Sequence, residues 1–213
     1  MNLKRPLATV LLAAALWLSY LPTAAAFPSL SSKDMALVAR IETYLNTLGT
    51  LKARFLQVSS NGQQAEGNLY LSLPGNMRVE YDPPTPILIV ADGLWLWYFD
   101  KELEQVSQIL TSSSPLGLFL EDKINLGSDK VSITGVEKRG NTIRLDIKKP
   151  GEDENGSLSL VFSDRPLALK KWTVTDPQGI LTSITLSSVR TGIPLKPGLF
   201  EFVPPKFEGT EAN

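Results

Sequence analysis

The stretch DGLWLWYFD, Asp92 to Asp100, sets six large apolar side chains in a row directly behind an Asp-Gly turn signal. Successive side chains of a strand point to opposite faces, and an antiparallel sheet can leave one of those faces wet. Here neither face is polar. Either two layers sandwich this strand, or one face lines a cavity for something apolar that is not part of the chain.

Working outward, the Asp92-Gly93 turn predicts a hairpin with the preceding apolar run. A two-residue turn pairs Ala91 with Leu94, Ile89 with Leu96 and Ile87 with Tyr98 on one face, and Val90 with Trp95 and Leu88 with Trp97 on the other. Upstream, Pro74-Gly75-Asn76 reads as a second loop that sets Leu73 opposite Met77, Leu71 opposite Val79 and Leu69 opposite Tyr81. The opposite face of this hairpin holds Asn68, Tyr70, Ser72, Arg78, Glu80 and Asp82 and is polar. One face of the aromatic strand therefore continues the apolar side of its neighbour. The other has to lie under a helix or under the C-terminal segment.

The remaining chain supports a sheet. Residues 32–48 read as an amphipathic helix, with Leu37, Val38, Ile41, Tyr44, Leu45 and Leu48 at helical spacing, a capping box from Ser31 to Asp34, and Gly49 as the stop. After Gly49 the period changes to two. Strands are predicted near 52–59, 65–73, 77–81, 86–91, 94–99, 131–138, 142–148, 157–163, 167–175 and 180–189, many separated by turn signals such as Asn61-Gly62 and Pro177-Gln178-Gly179. Ser114-Pro115 ahead of Leu116, Leu118, Phe119 and Leu120 predicts a short, very apolar helix in mid-chain that needs a surface to lie on. Beyond residue 189 the chain is rich in Pro and Gly, with a last apolar pair at Phe200 and Phe202. One N-terminal helix and one short helix must cover about ten strands, and an apolar face left uncovered asks for a ligand.

The N-terminus reads as a secretory signal: Lys4 and Arg5, an apolar run over 7–20, and a small-residue cleavage site at Ala24-Ala25-Ala26. No Cys stands at the junction to carry a lipid anchor, and the expected product is a soluble exported domain, residues 27–213. Removing Lys4 and Arg5 lowers the basic count from 21 to 19 against 22 acidic residues, a formal charge of −3, which argues against a nucleic-acid surface. Without Cys there are no disulfides or thiolate sites. Without His there are no histidine-dependent triads, and the commonest metal ligand is missing. Carboxylate-only, Ser-Lys and carboxylate-metal chemistry stay open.

Taken together, GNLYLSLPG, VEYDPPTPILIVADG, LWYFDKELEQV and SSSPLGLFL, in that order and spacing, resemble the periplasmic outer-membrane lipoprotein carrier family, and the final LFEFVPP agrees. The resemblance implies a mainly β fold: a single unclosed half β-barrel of about eleven antiparallel strands, its apolar concave face lidded by short helices. It implies a monomeric carrier, with neither a cofactor nor catalysis, that receives lipoprotein acyl chains in a hydrophobic cavity. Cargo comes from an ABC-type lipoprotein-releasing complex in the inner membrane and passes to a receptor on the outer membrane. By matching position, the cavity wall comprises Leu69, Leu71, Leu73, Met77, Val79, Tyr81, Ile89, Leu96 and Tyr98, and the lid carries Leu116 and Phe119.

One position departs from the family. Before the Pro of SLPG the family usually has an arginine that is thought to tie sheet to lid; here it is Leu73. The change makes the cavity more apolar and leaves the lid tether to be found elsewhere, since Arg78 falls on the opposite face. Other readings remain at this point. Glu80 with Asp82, or Asp100, Glu102 and Glu104, could serve as the paired carboxylates of a glycosidase. A paralogue of the same half-barrel could bind another lipid or a partner protein. Glu152-Asp153-Glu154, Lys148-Lys149 and Lys170-Lys171 read as solvated loop charge or as a docking patch.

Overall fold

A computed structural model describes residues 30–151, 156–196 and 198–205. The signal segment 1–26 and the acidic turn Glu152-Asp153-Glu154 lie outside the described residues. Helix α1, Ser32–Thr47, begins at a capping box: Ser31 Oγ accepts the Asp34 N–H at 3.2 Å, and the Asp34 carboxylate accepts the Ser31 N–H at 3.3 Å. Two donors that a helix start leaves open are thereby satisfied. Gly49, at φ +59°, turns the chain out of the helix where a side chain would be strained.

Eleven strands follow: β1 (Thr50–Ser59), β2 (Gln64–Ser72), β3 (Asn76–Tyr81), β4 (Ile87–Asp92), β5 (Trp95–Asp100), β6 (Gln105–Leu110), β7 (Ser132–Arg139), β8 (Thr142–Lys148), β9 (Ser157–Asp164), β10 (Leu167–Thr175) and β11 (Leu181–Thr191). They form one antiparallel sheet in the order β6-β5-β4-β3-β2-β1-β11-β10-β9-β8-β7. All neighbours except β1 and β11 are consecutive in the chain, so two meanders meet at that pair. β6 and β7 are free edges. The chain crosses between them through Thr111–Ser113 and Pro115–Leu120, two 3-10 stretches that together form a lid turn. This is the unclosed, lidded barrel that the family resemblance implies.

One inner face gathers the core. Val38, Ile41 and Leu45 of α1 join Leu51, Ala53 and Phe55 of β1, Leu69 and Leu71 of β2, and Ile143, Leu145, Leu160 and Phe162 across β8 and β9. Each fully buried aliphatic or aromatic side chain contributes about 1.5–3 kcal/mol. The outer face is polar over β1 to β3, with Arg54 paired to Asp82 and Arg78 Nε donating to Glu80 at 2.7 Å.

The aromatic strand β5 makes apolar contacts on both sides. Leu96 packs against the inner core, whereas Trp97 and Phe99 meet Phe202 on the outer face, with ring centroids 5.3 and 5.9 Å apart. Arg78 fastens the same C-terminal segment by donating to Leu199 O at 3.1 Å. Val90 and Leu88 of β4, on that outer face, are buried.

Several expectations need correction. Both hairpin registers are two residues from those predicted. Leu71 faces Met77, Leu69 faces Val79 and Gly67 faces Tyr81, leaving Leu73 in the loop. In the second hairpin Ile89 faces Tyr98, Val90 faces Trp97 and Ala91 faces Leu96, leaving Gly93 and Leu94 at the tip. Asp92 sets that tip, because its Oδ1 accepts the Leu94 and Trp95 N–H groups at 3.2 and 2.8 Å. A slip of two preserves the face of every side chain, so the division into apolar and polar faces survives. The short mid-chain helix is present as the 3-10 stretch Pro115–Leu120. β6 was absent from the predicted strands, since QVSQIL is half polar and lies at an edge with little to bury.

Candidate functional site

The expected wall residues share the inner face but not one degree of enclosure. Leu69, Leu71 and Met77 belong to the sealed core. Leu73, Val79, Tyr81, Ile89 and Leu96 are partly buried against it, and Tyr98 is 41% exposed. Tyr81 donates its hydroxyl to Gln57 Oε1 at 2.8 Å, and burial, with the nearby Tyr98, pushes its pKa up to about 12. Burial and Asp100 raise the Tyr98 phenol as well. Both phenols therefore stay neutral at physiological pH and present this wall without charge.

Of the two expected lid residues, Phe119 meets the wall: Phe119, Leu73, Leu45 and Ile124 line one small cavity of about 130 Å³. Leu116 falls in the lid turn but outside the described side chains. Main-chain and polar bonds hold the lid where Leu73 replaces the arginine. Gly75 N–H donates to Leu120 O at 3.0 Å. Asn46 of α1 accepts the Ile124 N–H at 2.9 Å and donates to Ile124 O at 2.8 Å, and Glu42 accepts the Leu126 N–H at 2.8 Å. Gly117 packs its Cα so tightly that an added Cβ would stand 2.2 Å from Thr111 O, which lets the turn fold back on itself.

A larger opening lies on the other half of the sheet, where no site residue was expected. A cleft of about 760 Å³ runs between the lid turn and the ends of β8, β9 and β10, with Leu118 above and Val131, Ile147, Leu158 and Val174 below. Its volume is within the usual range for a small-molecule pocket. The register explains the floor. Ile143, Phe162 and Leu169 form one cross-strand rung, Leu145, Leu160 and Trp172 the next, and Ile147, Leu158 and Val174 the third. Helix α1 covers the first rung, where Tyr44 meets Phe162 edge-on at 5.9 Å and accepts the Leu169 N–H at 3.2 Å. On the third rung Ile147 and Leu158 are buried and Val174 packs against the same core. Lys130, Lys148 and Lys149 stand at the rim with Glu121, Asp129 and Asp176. Lys149 also donates to Ser112 O at 3.3 Å, a bridge between the β8 end and the lid turn. The sequence signal for this floor was the alternation in 142–148, 157–163 and 167–175, which marked buried positions without separating covered from uncovered ones.

The carboxylates considered for hydrolysis have structural partners: Asp82 with Arg54, Glu80 with Arg78, and Asp100 with the Glu102 and Leu103 N–H groups at 2.9 and 3.0 Å. Among the described residues there is no cluster of three carboxylates placed to hold a metal ion, and no helix is long and apolar enough to cross a membrane.

This architecture has relatives. The family model described as outer membrane lipoprotein carrier protein LolA matches residues 46–203. An outer-membrane lipoprotein carrier protein of Methylococcus capsulatus is 32% identical over 181 residues, covering 78% of this chain and 83% of the relative. Another from Chromobacterium violaceum is 31% identical over 176 residues, covering 79% and 84%. The crystal structure of a LolA superfamily protein from Nitrosomonas europaea aligns with a TM-score of 0.45 at 11% identity, covering 77% of this chain and 97% of that one. With the family match spanning well over half of its length, the chain belongs to the outer membrane lipoprotein carrier family.

Proposed function

We propose that this protein is a periplasmic carrier that shelters lipoprotein acyl chains while they cross from the inner to the outer membrane. The observation that carries the reading is the unclosed sheet with an apolar inner face, partly uncovered beneath a lid turn. A long acyl chain costs roughly 10 kcal/mol to expose to water, at about 0.8 kcal/mol per buried CH₂. A carrier removes that barrier by offering an apolar surface in exchange, and no bond need be made or broken.

In this reading the chains lie against Val79, Tyr81, Ile89, Leu96 and Tyr98, and reach Leu69, Leu71, Leu73 and Met77 when Phe119 and Leu116 swing away with the lid. An ABC-type complex in the inner membrane loads the carrier, and a receptor at the outer membrane unloads it. Native mass spectrometry of the processed protein from its own periplasm, followed by lipid extraction, tests the reading. A triacylated lipoprotein adduct is the expected result. A phospholipid adduct would keep the cavity and replace the cargo, while an empty protein that takes up no lipoprotein from membranes would point to a partner-binding module.

A further inference from the structure

The two free edges of the sheet are built differently. β7 carries Glu137, Lys138 and Arg139 in succession, and its pairing with β8 slips at a bulge between Ile133 and Gly135. Charge and a bulge are common means of keeping an edge from pairing with another chain. β6, QVSQIL, has neither: it holds no charged residue and pairs with β5 over its whole length without a register shift. Around β5 and β6 gather Leu94, Tyr98, Leu103, Ile109 and Leu110, half of the ten large apolar side chains that stand exposed among the described residues.

The ladder also shows which main-chain groups of β6 are unused. The Thr111 N–H donates to Leu94 O at 3.0 Å, and alternation from that bond turns the N–H and C=O groups of Gln105, Ser107 and Ile109 toward β5. Those of Val106, Gln108 and Leu110 point away from the sheet. They form a row of donors and acceptors suited to an added strand.

β6 is complementary to itself. Two copies set antiparallel about Gln108 pair Gln108 with Gln108 and Val106 with Leu110, which uses every outward N–H and C=O of both strands. In that register Ser107 lies opposite Ile109 on the inner face, and Ser107 is the cross-strand neighbour of Tyr98. Glu104 lies opposite Ser112, whose carbonyl accepts from Lys149 Nζ at 3.3 Å. Glu104 and Lys149 are both exposed, so a carboxylate meets an ammonium at each end of the paired strands. A parallel arrangement would set Glu104 beside Glu104 instead, and like charges side by side oppose it.

We propose that β6 docks a second copy of this chain edge to edge, making one continuous sheet in which Ile109 of each copy extends the inner wall of the other at Tyr98. The proposal goes beyond the carrier reading, which needs only a monomer. A strand edge is small beside the roughly 1,200–2,000 Å² of a stable interface, so the pairing is weak and reversible.

The processed chain, residues 27–213, has no Cys, so a single Gln108→Cys reports the pairing directly. At a hydrogen-bonded antiparallel pair the Cα atoms stand about 5.5 Å apart, within the span of a disulfide. Mild oxidation at high protein concentration should give a covalent dimer, while Glu137→Cys on the β7 edge stays monomeric. Sedimentation of the parent should show a dimer fraction that rises with concentration. Gln108→Pro removes an N–H that points away from β5, so the melting temperature should hold while the dimer dissociation constant rises about tenfold. Should that variant unfold, Leu110→Lys, at an exposed side chain, takes its place. Glu104→Lys should weaken the dimer, and adding Lys149→Glu should restore it. Equal cross-linking at positions 108 and 137, or a parent that sediments as a monomer up to millimolar concentration, overturns the proposal. So does a Gln108→Cys protein that links to a different periplasmic protein and never to itself, which would assign the edge to that partner. Lipoprotein binding is read separately by native mass spectrometry, so the two readings fail independently.

Discussion

Asp164 holds the helix to the sheet through charge. Its side chain is 4% exposed and receives Lys138 Nζ of β7 at 2.6 Å and Arg40 of α1 at 2.9 Å, with Arg165 Nε at 3.7 Å. The hydrogen bond from Lys138, then that from Arg40, holds its carboxyl below the ordinary value of 3.8 despite the opposing effect of burial. A carboxylate whose pKa is depressed by folding stabilises the native state above its ordinary value, and that contribution disappears as pH falls through the lower, folded value. Asp164→Asn should therefore lower the melting temperature at neutral pH. The gap to the parent should close as the pH is taken below about 4, which thermal melts across that range will measure. A gap that persists into strong acid would mean that packing, and not charge, accounts for the difference.

At the scale of elements, the C-terminal strap and the lid turn do different work. The strap is why DGLWLWYFD can be apolar on both faces: Phe202 closes over Trp97 and Phe99, and Asp92 takes the Trp97 Nε1–H at 3.0 Å from the tip of the same hairpin. Burial pushes the Asp92 carboxyl up, but this hydrogen bond and those from the Trp95 and Leu94 N–H groups outweigh it and leave the pKa lowered. Phe202→Ala should cost about 1–2 kcal/mol, as a half-buried aromatic contact, and shift tryptophan fluorescence to the red. Chemical denaturation with fluorescence detection reads both. The lid turn, by contrast, is anchored by Leu120 in the core, with Leu118 and Phe119 packed against it, and by the main-chain bond from Gly75 to Leu120 O.

For the whole molecule, the open edge between β6 and β7 matters most. A closed barrel would seal its interior, whereas here a crossing segment that takes part in no strand pairing spans the gap. Gly117→Ala tests that independence. The new Cβ would meet the Thr111 carbonyl at 2.2 Å, so the turn must unfold locally or shift. A loss of about 1–3 kcal/mol is expected together with faster exchange of bound lipid, read by thermal melting and by transfer of a fluorescent lipopeptide to vesicles. Slower exchange would show that the turn is needed to load cargo and not only to retain it.

Much of this was legible in the chain itself. Period-two alternation, turn residues and the capping box are local, and local chemistry located α1 and ten of the eleven strands to within two residues. The division into apolar and polar faces followed from the same alternation and was unaffected by the two-residue error in both hairpins. β6 escaped because an edge strand buries too little to need an apolar pattern. The tertiary structure alone decided which apolar surface is covered. Phe202 reaches β5 across about a hundred residues, α1 packs on the Phe162 rung of β8 to β10, and the lid turn meets the ends of β8 to β10 around a cleft. Periodicity reports that a side chain faces inward. Whether protein or an empty cleft meets it there depends on how distant segments pack, a long-range outcome that no local pattern encodes.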